Sequence, residues 1–534
     1  MWNRRWLWLL LGFVLGTIFF ALWSILRPAR SVQRLGFRAR QSKVEMVLDL
    51  ISHDYVDSLP VRGMEDKTLT ALVRQLDPHS EYIPKELFTK ADITMRGDFE
   101  GIGVTFNMLT DTVVVLSVLP HGPAAKAGLV ASDRIMMIGH DTIAGVKANQ
   151  DSIVMRLRGP RGSKVSIMVE RLGEKDWLPF TLMRDKIPVK SVEVYTMLDE
   201  KTGYLQLTRF SQTTIEEVQR AVAHLGAQGM SQLILDLRGN GGGVLQAACY
   251  VAQLFLPEGK LLLYTKGRSR ERRDFLAQID GPLRNFPLAV LIDEASASGS
   301  EIVAGAIQDN DRGFIVGRRS FGKGLVQEQF EFADSSALRL TVARYYTPSG
   351  RSIQRPYRLG NDSSYYDDYY KRFANGELLS SDSVHQDTTQ RFRTLGGRVV
   401  YGGGGIMPDI FVPLDTSAST PYLSQLARRG LFVRYAMYYF DHHRQELMAF
   451  ESPQAMETAL DGAQVLSDFT AYAAQRGVPL NARQFETSKK VIRLQLYAQL
   501  AYRLWDSMGS FAIWREQDPA LDSARYALQH KTVL

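Results

Sequence analysis

LAVLIDEASASGSEIVAGAIQD, residues 288–309, runs from a short apolar stretch through Asp293 and Glu294 into three alternating serines, Ser296, Ser298 and Ser300, and then into helix-spaced aliphatics. An apolar run of this length, bounded by small polar residues and followed by a helical pattern, predicts a buried strand, a tight bend and a helix. Such a bend exposes one hydroxyl while aiming backbone N–H groups at the space in front of it. The same serines also suit plain capping, with Ser298 or Ser300 as N-cap and Glu301 in the first turn. Both readings predict the same local fold.

The rhythm extends outward. From 192 to 350, strand-like runs (GYLQLTRF, QLILDLRG, LAVLIDE, GFIVG) alternate with helical ones (TTIEEVQRAVAHLG, VLQAACYVAQLFL, GSEIVAGAIQDN). This alternation predicts helices packed on a largely buried sheet. Within it, QLILDLRGNGGGV (232–244) ends a strand in a glycine run whose N–H groups can approach a ligand closely. Downstream, GRRSFGKGLVQ (317–327) matches a phosphate-binding loop up to Lys323, but Gly324 stands where a Mg²⁺-ligating hydroxyl belongs. Ser320-x-x-Lys323 has the spacing of another serine–lysine pair, yet the flanking glycines disfavour the helical turn it needs.

N-terminal to this region, GIGVTF (101–106), VVVLSV (113–118), RIMMIG (134–139) and VSIMVER (165–171) are short β-rich runs split by Gly and Pro. Residues 43–96 carry helical spacing, and the chain from about Thr416 is helix-spaced again. The tyrosine-rich 355–401 stretch has few aliphatics and is expected to be a surface insertion.

At 534 residues, 45% hydrophobic and 23% charged, the composition is that of a globular chain of several domains rather than a disordered one. The net charge of +7 is spread along the sequence, and with no recognition motif it gives no case for nucleic acid. Cys249 is the single cysteine, so no internal disulfide forms. Trp6 to Leu26 is an uncharged apolar run after Arg4 and Arg5, which predicts an uncleaved transmembrane anchor. Arginines after the run argue for a cytoplasmic C-terminal side.

Taken together, DLRGNGGG (236–243), SASGSEI (296–302) and FGKGLVQ (321–327), with LDPHSEYI (76–83), FEGIGV (99–104), LRGPRGSKV (157–165), RYYTPSGRSIQ (344–354) and GIMPDI (405–410), resemble the C-terminal processing peptidases, tail-specific serine endopeptidases of family S41. The resemblance implies Ser298 as nucleophile, Lys323 as its base 25 residues later, and Gln327 as the group that orients the lysine. It implies an oxyanion hole from the N–H groups of Gly299 and of the glycine run, with Gly242 the choice there. No cofactor or metal is required.

FEGIGV with GPAAKAGLVASDRI (122–135) resembles a PDZ domain, in which Gly101, Ile102, Gly103 and Val104 would receive a peptide's C-terminal carboxylate. Arg158 would couple that domain to the protease site. The expected organisation is an α/β multidomain chain: a membrane anchor (1–30), a helical lead-in (31–96), a β-rich PDZ domain (97–186), an α/β protease core with a mixed sheet (187–412, insertion 355–401) and a C-terminal helical domain (413–534). Expected partners are proteins or peptides with accessible C-termini, the membrane through the N-terminal helix, and no nucleic acid, with a homo-oligomer or adaptor protein left open. The resemblance places the catalytic region outside the cytoplasm, in the periplasm of an inner-membrane protein. The rival expectation is a non-catalytic PDZ scaffold on a protease-like core.

Overall fold

The computed structural model describes residues 42–530, apart from 60, 110, 361–364, 366 and 386. The apolar stretch 6–26 lies outside the described residues. Among the described residues no helix is long and apolar enough to cross a membrane, and on that finding the expected single-pass inner-membrane location, with its periplasmic catalytic region, is withdrawn.

The lead-in opens with the helix Lys43–Asp54, where Ser42 accepts from the Glu45 N–H and Glu45 reaches back to the Ser42 N–H. This reciprocal pair satisfies two donors that a helix start would otherwise leave open. After Asp77 comes a short strand, β1 (Glu81–Ile83).

The β-rich module follows as an antiparallel sheet in the order β2 (Val104–Leu109), β3 (Thr112–Val118), β4 (Arg134–Ile138), β5 (Lys164–Glu170), β6 (Leu178–Met183), with helix α1 (Gln150–Leu157) between β4 and β5. Its residues alternate, and the inward set (Val113, Val115, Ile135, Ile167, Val169, Leu182) closes on Ile153 and Leu157 of α1 in a core of its own.

The central sheet has the order β7 (Val192–Met197), β8 (Thr202–Leu207), β9 (Gln232–Asp236), β12 (Leu288–Ile292), β13 (Phe314–Gly317), β16 (Ile410–Phe411). β7 runs antiparallel to β8, and the remaining pairs are parallel, so the sheet is mixed. Parallel neighbours need crossovers, supplied by α2 (Thr214–Ala227), α3 (Leu245–Gln253) and α4 (Gly299–Asp309). All five residues of β12 are buried, which is why that run reads as continuously apolar. A second, antiparallel sheet joins β1, β15 (Ala337–Tyr346), β10 (Leu261–Lys266) and β11 (Arg273–Leu276), with β14 (Leu325–Glu331) paired to β15.

Two segments cross the expected boundaries. β1 pairs with β15, so part of the lead-in belongs to the core. At the other end, the helical region includes the kinked α5 (Ala482–Trp514), but the last helix, α6 (Pro519–His530), leaves it. Ala520, Leu521, Ala524, Ala527 and Leu528 of α6 pack on Ile234, Leu291 and Val316 of the central sheet, and Asp518 accepts from Arg238. The 355–401 segment is likewise more than surface decoration: Arg355, Tyr365, Arg372, Glu377 and Val400 are buried. Its few aliphatics are replaced by buried ion pairs, Arg372 and Arg319 sharing Glu377 at 2.7 Å each.

Candidate active site

In an open α/β sheet, ligands bind beyond the carboxyl ends of the parallel strands. The loops after β9 and β12 leave that edge side by side, and they are laced by the buried Asn240. Its carbonyl accepts from the Ala297 N–H (3.0 Å) and from the Ser300 hydroxyl (2.8 Å), its Nδ2 donates to the Leu207 carbonyl, and its Oδ1 accepts from the Gly242 N–H at 2.8 Å. Asp293 adds a second lace by accepting from the Gly239 N–H.

The three serines separate in role. The Ser296 hydroxyl donates to the Leu237 carbonyl at 2.8 Å, and Ser300 is committed to Asn240; both are fully buried. Ser298 lines an open cleft of about 910 Å³ together with Gly241, Gly242, Gly243, Lys323 and Gln327. Its φ of +51° and ψ of −107° are unusual for a residue with a side chain, and such strain concentrates at functional positions. Ser298 is also the N-cap of α4, so elbow and cap are the same residue.

Gly242 is required here. A Cβ on it would sit 2.7 Å from both the Gly299 nitrogen and Ser298 Cβ, at a φ of +97°. Its N–H is held by Asn240, as above, whereas the Gly299 N–H opens α4.

Lys323 lies in the segment that crosses from β13 to β14. This segment does cradle an anion with backbone N–H groups, as its glycines suggested, but the anion is the protein's own Glu301. The carboxylate of Glu301 is completely buried and accepts four hydrogen bonds: Ser298 N–H and Lys323 N–H on Oε2 (2.8 Å each), Gly322 N–H (2.6 Å) and Ser320 Oγ (2.5 Å) on Oε1. A strand, not a helix, follows, which disposes of the phosphate-loop reading. Burial pushes the Glu301 carboxyl up, and these four donors oppose that shift. One side chain thus ties the serine bend to the lysine loop. The sequence marked it only as a capping residue, because its donors are spread over 25 positions.

Ser320, whose spacing to Lys323 suggested another serine–lysine pair, is committed to structure instead: it is buried, and its hydroxyl also accepts from the Ile406 N–H at 2.7 Å.

Burial holds the Lys323 amine below the ordinary lysine range, with Arg339 acting the same way; Glu81, Glu301 and Asp77 oppose them. His79, close to the same amine, is pushed down to about 3 by burial, with Lys323 adding to the shift, and so stays neutral. Gln327 sits in β14 just after a bulge, and its Nε2 donates to Thr341 Oγ1 at 3.2 Å.

The PDZ-type residues form a separate group. Gly101 closes a short strand paired to Asp185, and Val104 opens β2. Between them, the carbonyls of Ile102 and Gly103 accept from Ala124 and Leu119. Arg158, at the end of α1, lies over the Phe99 ring at 4.6 Å, beside that stretch.

The sequence profile of peptidase family S41 matches residues 201–361, that of the PDZ domain residues 101–179, and that of a family of unknown function (DUF8443) residues 422–506. The chain is 35% identical over 313 residues to the carboxy-terminal-processing protease of Bartonella bacilliformis, covering 58% of this chain and 71% of that protein. It is 35% identical over 317 residues to the carboxyl-terminal-processing protease of Synechocystis sp., covering 57% and 72%. Among solved structures, the photosystem II D1 C-terminal processing protease aligns with 73% of this chain and 90% of its own at 25% identity, with a TM-score of 0.36. The chain belongs to the carboxy-terminal-processing proteases of peptidase family S41 and is a serine-type endopeptidase.

Proposed function

We propose that the chain cleaves proteins at or near their C-terminal tails through an acyl-enzyme on Ser298, with Lys323 as general base. The observation that carries this reading is the buried Glu301 carboxylate, which fixes a strained serine and a desolvated lysine to one cleft. A neutral Lys323 amine takes the Ser298 Oγ proton as Oγ adds to the substrate carbonyl carbon. The tetrahedral oxyanion is held by the Gly299 N–H and an N–H of the glycine run. Gly242 serves there once its amide gives up Asn240 Oδ1. The protonated lysine then hands its proton to the leaving amine as the C–N bond breaks. In the second half, Lys323 deprotonates a water that attacks the ester, which releases the new carboxyl terminus and restores Ser298. Gln327 orients the lysine.

The module 97–186 supplies recognition. Its Gly101–Val104 stretch receives the tail carboxylate, the last residues of the tail add a strand beside β2, and Arg158 couples the docked tail to the core. The core spans 187–412 with β1 and α6 added, and the rest of 413–534 forms the helical domain.

Incubation with casein tests this reading. Ser298→Ala and Lys323→Ala are each expected to abolish cleavage in folded protein, and full activity in either would exclude the dyad.

A further inference from the structure

Gln327 has to present a particular end of its amide to Lys323. A lysine acting as base keeps its lone pair for the serine proton, so its orienting partner must accept from the amine, not donate to it. The carbonyl and NH2 ends of an amide differ little in shape, and only hydrogen-bond partners select between them.

The partners form a directed chain that starts outside the core motifs, at Asp77. This carboxylate is buried, and its Oδ1 accepts from the His79 N–H (3.0 Å), the Ser80 N–H (3.1 Å) and Thr341 Oγ1 (2.9 Å). Its Oδ2 accepts from Ser80 Oγ at 2.6 Å, and Ser80 Oγ in turn accepts from the Thr341 N–H at 3.0 Å. An ionised carboxylate only accepts, and these donors favour the ionised form, holding Asp77 below its ordinary value despite burial. Thr341 therefore spends its one O–H on Asp77. Its oxygen can then only accept, and the group it accepts from is Gln327 Nε2 at 3.2 Å.

Thr341 is the direct cross-strand partner of Gln327, and the bulge between Val326 and Gln327 sets that register. With its NH2 held by Thr341, Gln327 has its carbonyl oxygen left for the cleft it shares with Lys323.

We infer that Asp77 and Thr341 are positioning residues that set the amide polarity of Gln327, so that Lys323 meets an acceptor and keeps its lone pair for Ser298. The inference rests on the dyad reading above. It gives the LDPHSEYI stretch a role: β1 docks on β15 and delivers Asp77 behind the base.

The test uses the full chain, casein as substrate, and Thr341→Val, Thr341→Ser and Asp77→Asn beside the wild type. Thr341→Val keeps shape but removes the acceptor, so the amide turns and its NH2 donates to the lysine lone pair. Its kcat is expected to fall by about 10²-fold with KM little changed. A donated bond stabilises the neutral amine, so the acid limb of the kcat/KM profile is expected to move to lower pH. Thr341→Ser is expected to restore both. Asp77→Asn is expected to lower kcat and shift the limb the same way, because one negative charge near the lysine is gone. The other charged groups acting on Lys323, namely Arg339, Glu81 and Glu301, are unchanged in all three variants, and the neighbouring His79 stays neutral. A Thr341→Val enzyme with wild-type kcat and pH profile would overturn the inference. So would a loss of activity that only tracks loss of folded protein in the melting curve, with the limb unmoved. Activity surviving in Ser298→Ala or Lys323→Ala would instead overturn the dyad itself.

Discussion

The seam between the serine bend and the lysine loop and the seam between the β-rich module and the helical domain are built on opposite principles. At the first, a buried carboxylate collects four donors from two segments, and Asn240 laces a third to them. At the second, Arg444 Nη2 donates to the Ala131 carbonyl, and Arg134, about a third exposed, lies 3.8 Å from Asp441, whose own side chain is nearly buried. Nearby, α5 is tied to the central sheet by Ser507 donating to Glu193 at 3.0 Å. Stripping a donor from a buried carboxylate held by four short hydrogen bonds is expensive, while a single long contact with one partly exposed member is worth less. The serine and lysine segments are therefore tied through one shared buried carboxylate, and the β-rich module is held to the helical domain by single, separate contacts.

The sharpest way to break this contrast is at Glu301. Glu301→Gln keeps the shape but turns an NH2 toward N–H donors. It is expected to destabilise the fold by on the order of 3 kcal/mol and to abolish most casein cleavage, read by a melting curve and by turnover per folded molecule. Ser320→Ala should come next. It strips the Ile406 N–H and one lone pair of Glu301 of their partner, at a cost of about 1–3 kcal/mol by chemical denaturation.

Lys323→Met is expected to move stability the other way. The folded state holds the amine below its ordinary pKa, so between the folded and the ordinary value the unfolded chain binds more protons, and wild-type stability rises with pH across that window. Removing the amine should flatten that rise and raise the melting temperature at neutral pH while activity is lost. The smallest effect is expected for Asp441→Asn at the outer seam: its side chain is nearly buried but Arg134 stands off at 3.8 Å, so the cost is on the order of 1 kcal/mol in a melting curve, with kcat unchanged.

The contrast also explains what could be read in advance. The β12–bend–α4 unit, the glycine run and the lysine loop are local patterns, so period, small residues and spacing exposed them. Ser298, Lys323, Gly242 and Gln327 do line one cleft. What tertiary contact decides stayed hidden. Glu301 reads as a helix cap because three of its donors come from residues 320–323. Ser320 reads only as half of a serine–lysine spacing because nothing local announces Ile406. β1 and α6 read as lead-in and tail, since which strand pairs a sheet edge, or which helix covers a sheet face, is settled only by packing. The arginine-rich insertion reads as surface because buried ion pairs carry no periodic signature.

The central claim, acyl transfer through Ser298 activated by Lys323, is tested most directly by trapping the intermediate. The wild type is mixed with an activated ester of a short peptide, quenched in acid within the first turnover and mapped by mass spectrometry. An acyl group on Ser298 in the wild type, absent in Lys323→Met, is the expected result. Acylation elsewhere, or on Ser298 at an unchanged rate without the lysine, would contradict the account.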